Sequence, residues 1–178
     1  MCVLDHDTVA ASDKFGNVFV LRAPDGGDEG IEAEAGLKAL WSSSWTKPKL
    51  QLLTHYYLGA MVTSLSRCSL QPGAPEVLVA ATVCGGIHAL VPLTSKEDVT
   101  FFTHLESSLR RENPTNLCQR DHMSFRSFYQ PVRHTLDGDL CERFGMLSPA
   151  KQTELAQGVG RTPAEVQKKL EEQRFILL

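Results

Sequence analysis

The chain has 178 residues, of which 42% are hydrophobic and 22% charged, and its net charge is −3. That length suits one domain, or a larger and a smaller one. The composition excludes a disordered chain, and the charge gives no case for non-specific binding to nucleic acid or to an acidic membrane. No apolar run approaches the roughly 18 residues that span a bilayer, and the opening "MCVLDHDTV" lacks the basic-then-apolar order of a signal peptide. Cys2, Cys68, Cys84, Cys118 and Cys141 make an odd set without CxxC spacing, a pattern of reduced thiols in an intracellular compartment.

The first 93 residues read as β-rich. "VAASDKFGNVFVLRAP", Val9 to Pro24, is strand, turn and strand, with "DKFGN" as the turn. A hairpin alone is marginal in water and leaves its edges unpaired, so it must join a sheet. "DGGDEGIEAEAG", Asp25 to Gly36, carries five acids and four glycines and reads as a surface loop. After "SSSWTKP" come four short runs, Leu50 to Leu58, Ala60 to Leu70, Val77 to Val83 and Gly86 to Leu93. Gly59, "QPGAP" and "CGG" separate them. This spacing predicts one antiparallel four-stranded sheet over residues 48–93, such as a propeller blade, with the Val9–Leu21 hairpin beside it.

The period then becomes helical. Ser95 reads as an N-cap, with Glu97 and Asp98 in the first turn and Arg110 and Arg111 at the far end. Val99, Phe102, Leu105 and Leu109 form its predicted apolar stripe. Leu140, Phe144 and Leu147 mark a second short helix, and Ser148 with Pro149 opens a third. In "RTPAEVQKKLEEQRF", Thr162, Pro163 and Glu165 have the order of a capping box.

Candidate chemistry is thin. Asp121, His122 and Ser124 lie close in sequence, but a catalytic triad is a matter of geometry, and no GxSxG elbow supports it. Phe125 and Phe128 read as core, and Arg120 and Arg126 as partners of carboxylates or carbonyls. Cys118 and His122 are two metal donors, too few for a zinc site. Gly85 and Gly86 have no following helix and lysine, so they read as a tight turn or bulge and not a phosphate cradle. Asp137 and Asp139 lack the further oxygens of a calcium loop, and one of them is expected to cap a helix. The pairs Tyr56–Tyr57 and Phe101–Phe102 have no basic groove around them and read as core.

Five segments in one order carry a resemblance: "DKFGN", "GGIHALVPLTSKED", "RDHMSFRSFYQPV", "DGDLCERF" and "RTPAEVQKKLEE". From about Leu4 to Arg174 the chain resembles the C-terminal end of the cleavage-and-polyadenylation-specificity-factor A-domain family, the triple-propeller proteins that include a DNA-damage-binding member. "DKFGN" and "DGDL" are shared widely in that family, whereas "RDHMSFRSFYQPV" and "RTPAEVQKKLEE" resemble its splicing branch. The stretch Ser42 to Lys49 looks shortened, "RENPTNLCQRD" looks longer, and the end "FILL" is more apolar than the family's tail.

The resemblance implies a mainly β chain followed by α. Residues 1–93 would be the last blades, about one and a half, of an incomplete WD40-like propeller, and 94–178 a small C-terminal helical domain. It implies a fragment of a longer protein, since a blade buries its faces on neighbours. The implied function is non-enzymatic: a nuclear scaffold in the splicing factor 3B complex, which acts at the intron branch site, with no cofactor and no metal. Its implied partners are that complex's large HEAT-repeat subunit and small helical subunit, with at most weak or indirect contact to RNA. The alternatives are a direct nucleic-acid-binding module and a cullin-ligase adaptor. Family-motif residues expected to be structural or partner-facing are Asp13, Lys14, Phe15, Gly16, Asn17, Gly85, Gly86, Arg120, Asp121, His122, Phe125, Arg126, Ser127, Asp137, Gly138, Asp139 and Leu140.

Overall fold

The computed structural model describes residues 1–23, 50–112, 126–127 and 130–176. The acidic stretch Asp25 to Gly36 and the "SSSWTKP" stretch lie outside them. As expected, strands come first and helices second. Strands β1 (Cys2–Val3), β2 (Thr8–Ser12), β3 (Asn17–Arg22) and β4 (Gln51–Tyr57) form one antiparallel sheet in chain order. Strands β5 (Val62–Cys68), β6 (Val77–Thr82) and β7 (Ile87–Leu90) form a second. Neither sheet closes into a barrel, so the β part is a partial, propeller-like region.

The expectation of a single sheet over residues 48–93 is overturned. β4 pairs with β3, from Asn17 opposite Tyr57 to Arg22 opposite Gln51, and the meander holds β5 to β7 alone. The physical reason lies at one corner. Gly59, at φ +87°, turns the chain out of β4, and the Leu58 N–H donates to the Gly16 carbonyl at 2.8 Å. Gly16 has φ +96°, and a Cβ built on it would lie 2.5 Å from the Ala60 carbonyl oxygen. Only a residue without a side chain permits this approach of two backbones. The "DKFGN" turn thus rests on the Gly59–Ala60 corner, and β4 runs beside β3. Alternation in sequence locates strands without naming the edges that pair.

The two sheets bury one core between them. Ala10, Val18, Tyr56 and Leu58 meet Leu78 and Ala80, with Leu65 and Leu90 partly buried at the margin. The other face of the second sheet is lined by the cross-strand rows Ser64–Ala81–Ile87 and Ser66–Val79–Ala89. Ile87 there is 77% exposed, and Val83 at the adjoining turn is 59% exposed. Gly85, at φ +82°, and Gly86 make the tight β6–β7 turn expected of them, with the Thr82 N–H donating to the Gly86 carbonyl at 2.8 Å.

Among the described residues four helices follow: α1 (Lys96–Glu112), α2 (Gly138–Glu142, continued by a 3-10 turn over Arg143–Met146), α3 (Pro149–Gly158) and α4 (Pro163–Phe175). Ser95 opens α1, its carbonyl accepting from the Val99 N–H at 3.0 Å. Ser148 stands at the N-cap of α3 before Pro149, but its hydroxyl makes no capping bond. Thr162 and Glu165 form the reciprocal capping box on α4. The predicted stripe of α1 needs one correction. Val99 is exposed, and Phe101 joins Phe102, Leu105 and Leu109 in the core. At roughly 100° per residue those four share one sector, and Val99 falls outside it. They pack on Leu140, Phe144, Leu155, Val166 and Leu170, each such burial contributing about 1.5–3 kcal/mol. This helical core shares no residue with the core between the sheets.

The exposed apolar face around Ile87 has a measurable consequence. The isolated 178-residue chain should sediment above its monomer mass and bind a hydrophobic dye. Ile87→Lys should reduce both; a monodisperse wild-type monomer that ignores the dye would contradict this.

Candidate functional site

Around β4 the structure gathers polar side chains that bond one another, with Asn17, His55, Glu106 and Asp137 buried. The first group begins in the "DKFGN" turn. The Asp13 carboxylate accepts from the backbone N–H groups of Phe15 and Asn17, both at 2.9 Å, and from the Asn17 side-chain amide at 2.6 Å. Burial raises the Asp13 pKa, but the hydrogen bonds from Asn17, Phe15 and Gly16 together outweigh it and hold the carboxyl below its ordinary value. Because the Asn17 NH₂ faces Asp13, its carbonyl oxygen faces outward, 3.0 Å from His55 Nε2. His55 Nδ1 lies 3.0 Å from the Pro131 carbonyl oxygen. The ring is wholly buried and stacks on Phe19 at 5.0 Å between centroids.

The second group is centred on Asp137, which is 3% exposed. It is the N-cap of α2, and its Oδ1 accepts from the Leu140 N–H at 3.1 Å. Its Oδ2 accepts from the Tyr56 hydroxyl at 2.7 Å and from Arg126 Nε at 3.3 Å. Its own backbone N–H donates to Glu106 of α1 at 3.0 Å. The Arg126 guanidinium also lies 5.5 Å over the Tyr56 ring. Burial, then the Asp137 charge, pushes the Tyr56 phenol far above its usual range. Burial, then Glu106 and Asp137, pushes the Cys141 thiol up likewise. Both groups therefore stay protonated, and neither is a nucleophile.

Backbone pairing joins the groups. His55 and Arg133 exchange two hydrogen bonds at 3.0 and 3.1 Å, and the Tyr57 N–H donates to the Arg126 carbonyl at 3.1 Å. A bulge at Val20/Leu21 leaves Leu53 outside the β3–β4 register, and His134 Nδ1 donates to its carbonyl at 3.0 Å. His134 holds a left-handed φ of +48° in doing so, a conformation uncommon for a residue with a side chain.

Of the residues singled out by sequence, Asp13, Gly16, Asn17, Arg126, Asp137 and Leu140 thus converge on this joint. Asp137, not Asp139, is the cap; Gly138 and Asp139 occupy the exposed first turn of α2. Lys14 and Phe15 are on the outer side of the turn, the ammonium 5.0 Å over the ring. Gly85 and Gly86 are remote, in the β6–β7 turn. Arg120, Asp121, His122 and Phe125, with Ser124, Phe128 and Cys118, lie outside the described residues, whereas Ser127 is within them. Sequence reasoning missed His55 and Glu106, and it read Tyr56 as apolar core without its hydroxyl contact. Their signal was weak: a lone histidine in a strand, and an acid on the apolar side of a helix.

Among the described residues, Asp5, His6 and Asp7 place three donor atoms within 4.8 Å of one another. They are committed to each other and to neighbours: Asp5 to His6, and Asp7 to Thr8 and Arg22. No described helix is long and apolar enough to cross a membrane.

The family model described as the CPSF A subunit region matches residues 1–146. The chain belongs to the CPSF A subunit family. Within this family it is similar to splicing factor 3B subunit 3 of Danio rerio, 46% identical over 177 residues, which is 97% of this chain and 14% of that protein. The probable splicing factor 3B subunit 3 of Dictyostelium discoideum is 46% identical over 176 residues, and splicing factor 3B subunit 3 of Drosophila melanogaster 43% over 176, each covering 97% of this chain and 14% of the relative. The chain thus spans about one seventh (14%) of the length of these relatives. The aligned 97% of this CPSF A member spans both its sheets and its helices.

The joint should be sensitive in a graded way. Tyr56→Phe removes one hydrogen bond and should cost about 1 kcal/mol. Asp137→Ala removes the acceptor of several buried donors and should cost about 3 kcal/mol. Urea midpoints in the reverse order would contradict the central place given to Asp137. Asp13 supplies a pH signature. Its folded pKa is depressed below the ordinary 3.8, so its contribution is present above that value and lost as pH falls through the lower folded value. Asp13→Asn should flatten the acid limb of stability below about pH 4. An acid limb identical to wild type would refute this.

Proposed function

We propose that this chain is a non-catalytic scaffold surface of the splicing factor 3B type, acting in the nucleus in pre-mRNA splicing. One observation carries the reading: similarity to splicing factor 3B subunit 3 proteins runs through 97% of the chain at 43–46% identity. The geometry supports it. In "DKFGN" and "DGDL" the Asp13 and Asp137 carboxylates accept from donors of the fold itself, whereas Lys14 and Asp139 are exposed. A protein built this way acts through the shape and complementarity of its surface.

In the finer reading, residues 1–93 are the last blades of a propeller and residues 94–178 a helical end domain, with Asp137 at their joint. Its partners are the large HEAT-repeat subunit and the small helical subunit of the splicing factor 3B complex, engaged at the intron branch site. The family-motif residues serve the architecture that presents the partner surface. The net charge of −3 favours this over direct nucleic-acid binding.

Affinity capture tests the proposal. The tagged chain, expressed in cells of its own source, should recover other splicing factor 3B subunits from nuclear extract, with nuclease treatment making no difference. Recovery of cullin-ligase subunits instead, or capture abolished by nuclease, would overturn the scaffold reading.

A further inference from the structure

The corner between α3 and α4 faces the first half of α1 across an open cleft of about 520 Å³. Its floor is apolar, formed by Phe101 and Val159, and its rim carries Lys96, His104 and Arg161. Arg161 is held in place. Its guanidinium lies 4.8 Å over the Phe101 ring, and its backbone N–H donates to the Ala156 carbonyl at 2.9 Å. Gly160, at φ +69°, makes the turn that allows this. A pre-ordered guanidinium is suited to a carboxylate, because little side-chain freedom remains to be lost.

That guanidinium now contacts Glu97 at 2.5 Å. The Glu97 side chain is 75% exposed, so the pair is a surface ion pair worth about 0–1 kcal/mol. Its neighbour Asp98 is bound otherwise: it meets Lys169 at 2.8 Å, with both side chains mostly buried. The cleft therefore holds one exchangeable carboxylate over an apolar floor, with Lys96 alongside.

We propose that this cleft docks an acidic peptide segment of a partner protein, one of whose carboxylates replaces Glu97 on Arg161. Apolar residues beside that carboxylate settle against Val159. A single-stranded nucleic acid fits less well: Arg161 already occupies the Phe101 ring face, and Glu97 repels phosphates. The inference does not rest on the splicing assignment, because it follows from the cleft's charges alone.

The test tethers the full chain sparsely on a sensor and applies a blocked peptide of alternating glutamate and leucine. Its glutamine counterpart and an oligouridylate serve as comparisons. The acidic peptide should bind about tenfold more tightly than the glutamine peptide, and Arg161→Gln should remove most of that difference. Glu97→Gln removes the internal competitor and should tighten binding about threefold. This gain cannot come from misfolding, so it stands whether or not the Arg161 variant folds. Equal binding of the two peptides, no binding of either, unchanged or weaker binding by Glu97→Gln, or tighter binding of the oligouridylate would each overturn the proposal.

Discussion

A buried carboxylate must be answered by donors, and Asp137 is the place where that constraint organises this chain. At 3% exposure its charge would be prohibitive without partners. The donors come from different parts of the molecule: Tyr56 from the first sheet, Arg126 from the segment along its edge, and the Leu140 N–H from the helix it caps. The Asp137 backbone binds Glu106 of α1. An apolar contact between the two cores would tolerate sliding. A carboxylate with directed bonds to each side selects one orientation of sheet against helices.

The Asp13 turn works by the same logic at shorter range. Its carboxylate orients the Asn17 amide, and the amide oxygen faces His55 on the neighbouring strand. His55 in turn faces Pro131, while its backbone pairs with Arg133. One edge of β4 therefore pairs with β3, and the other bonds Arg126, Arg133 and His134, which lie between α1 and α2 in the chain. These bonds remove an open edge from the first sheet. On the outer face of the second sheet Ile87 is 77% exposed.

This arrangement engages the Asp13, Asn17 and Asp137 side chains in hydrogen bonds within the fold. Reactive groups need access and a perturbed, usable proton. Tyr56 and Cys141 are perturbed in the unusable direction, both held protonated by burial and nearby acids. The exposed chemistry lies elsewhere, where Arg161 carries a replaceable carboxylate. Inward polar groups set the frame of the fold.

Much of this was legible in the amino-acid sequence. The order of strands and helices follows from hydrophobic period, and the cap at Thr162 from residue type and spacing, because these are local properties; for the short helix α2 the same signals pointed to Asp137 or Asp139, and the structure chose Asp137. The family motifs marked Asp13, Asn17, Arg126 and Asp137 without saying what they touch. Tertiary structure decided the rest. It paired β4 with β3, because Gly16 lets two turns approach within the space of a methyl group. It replaced Val99 by Phe101 in the core, because the helix's rotation depends on what it packs against. It brought Tyr56 to Asp137 across 81 positions of sequence, a contact that no local pattern encodes. Propensity and capping act within a few residues, whereas the pairing of edges and the answering of buried charge are settled only when distant segments meet.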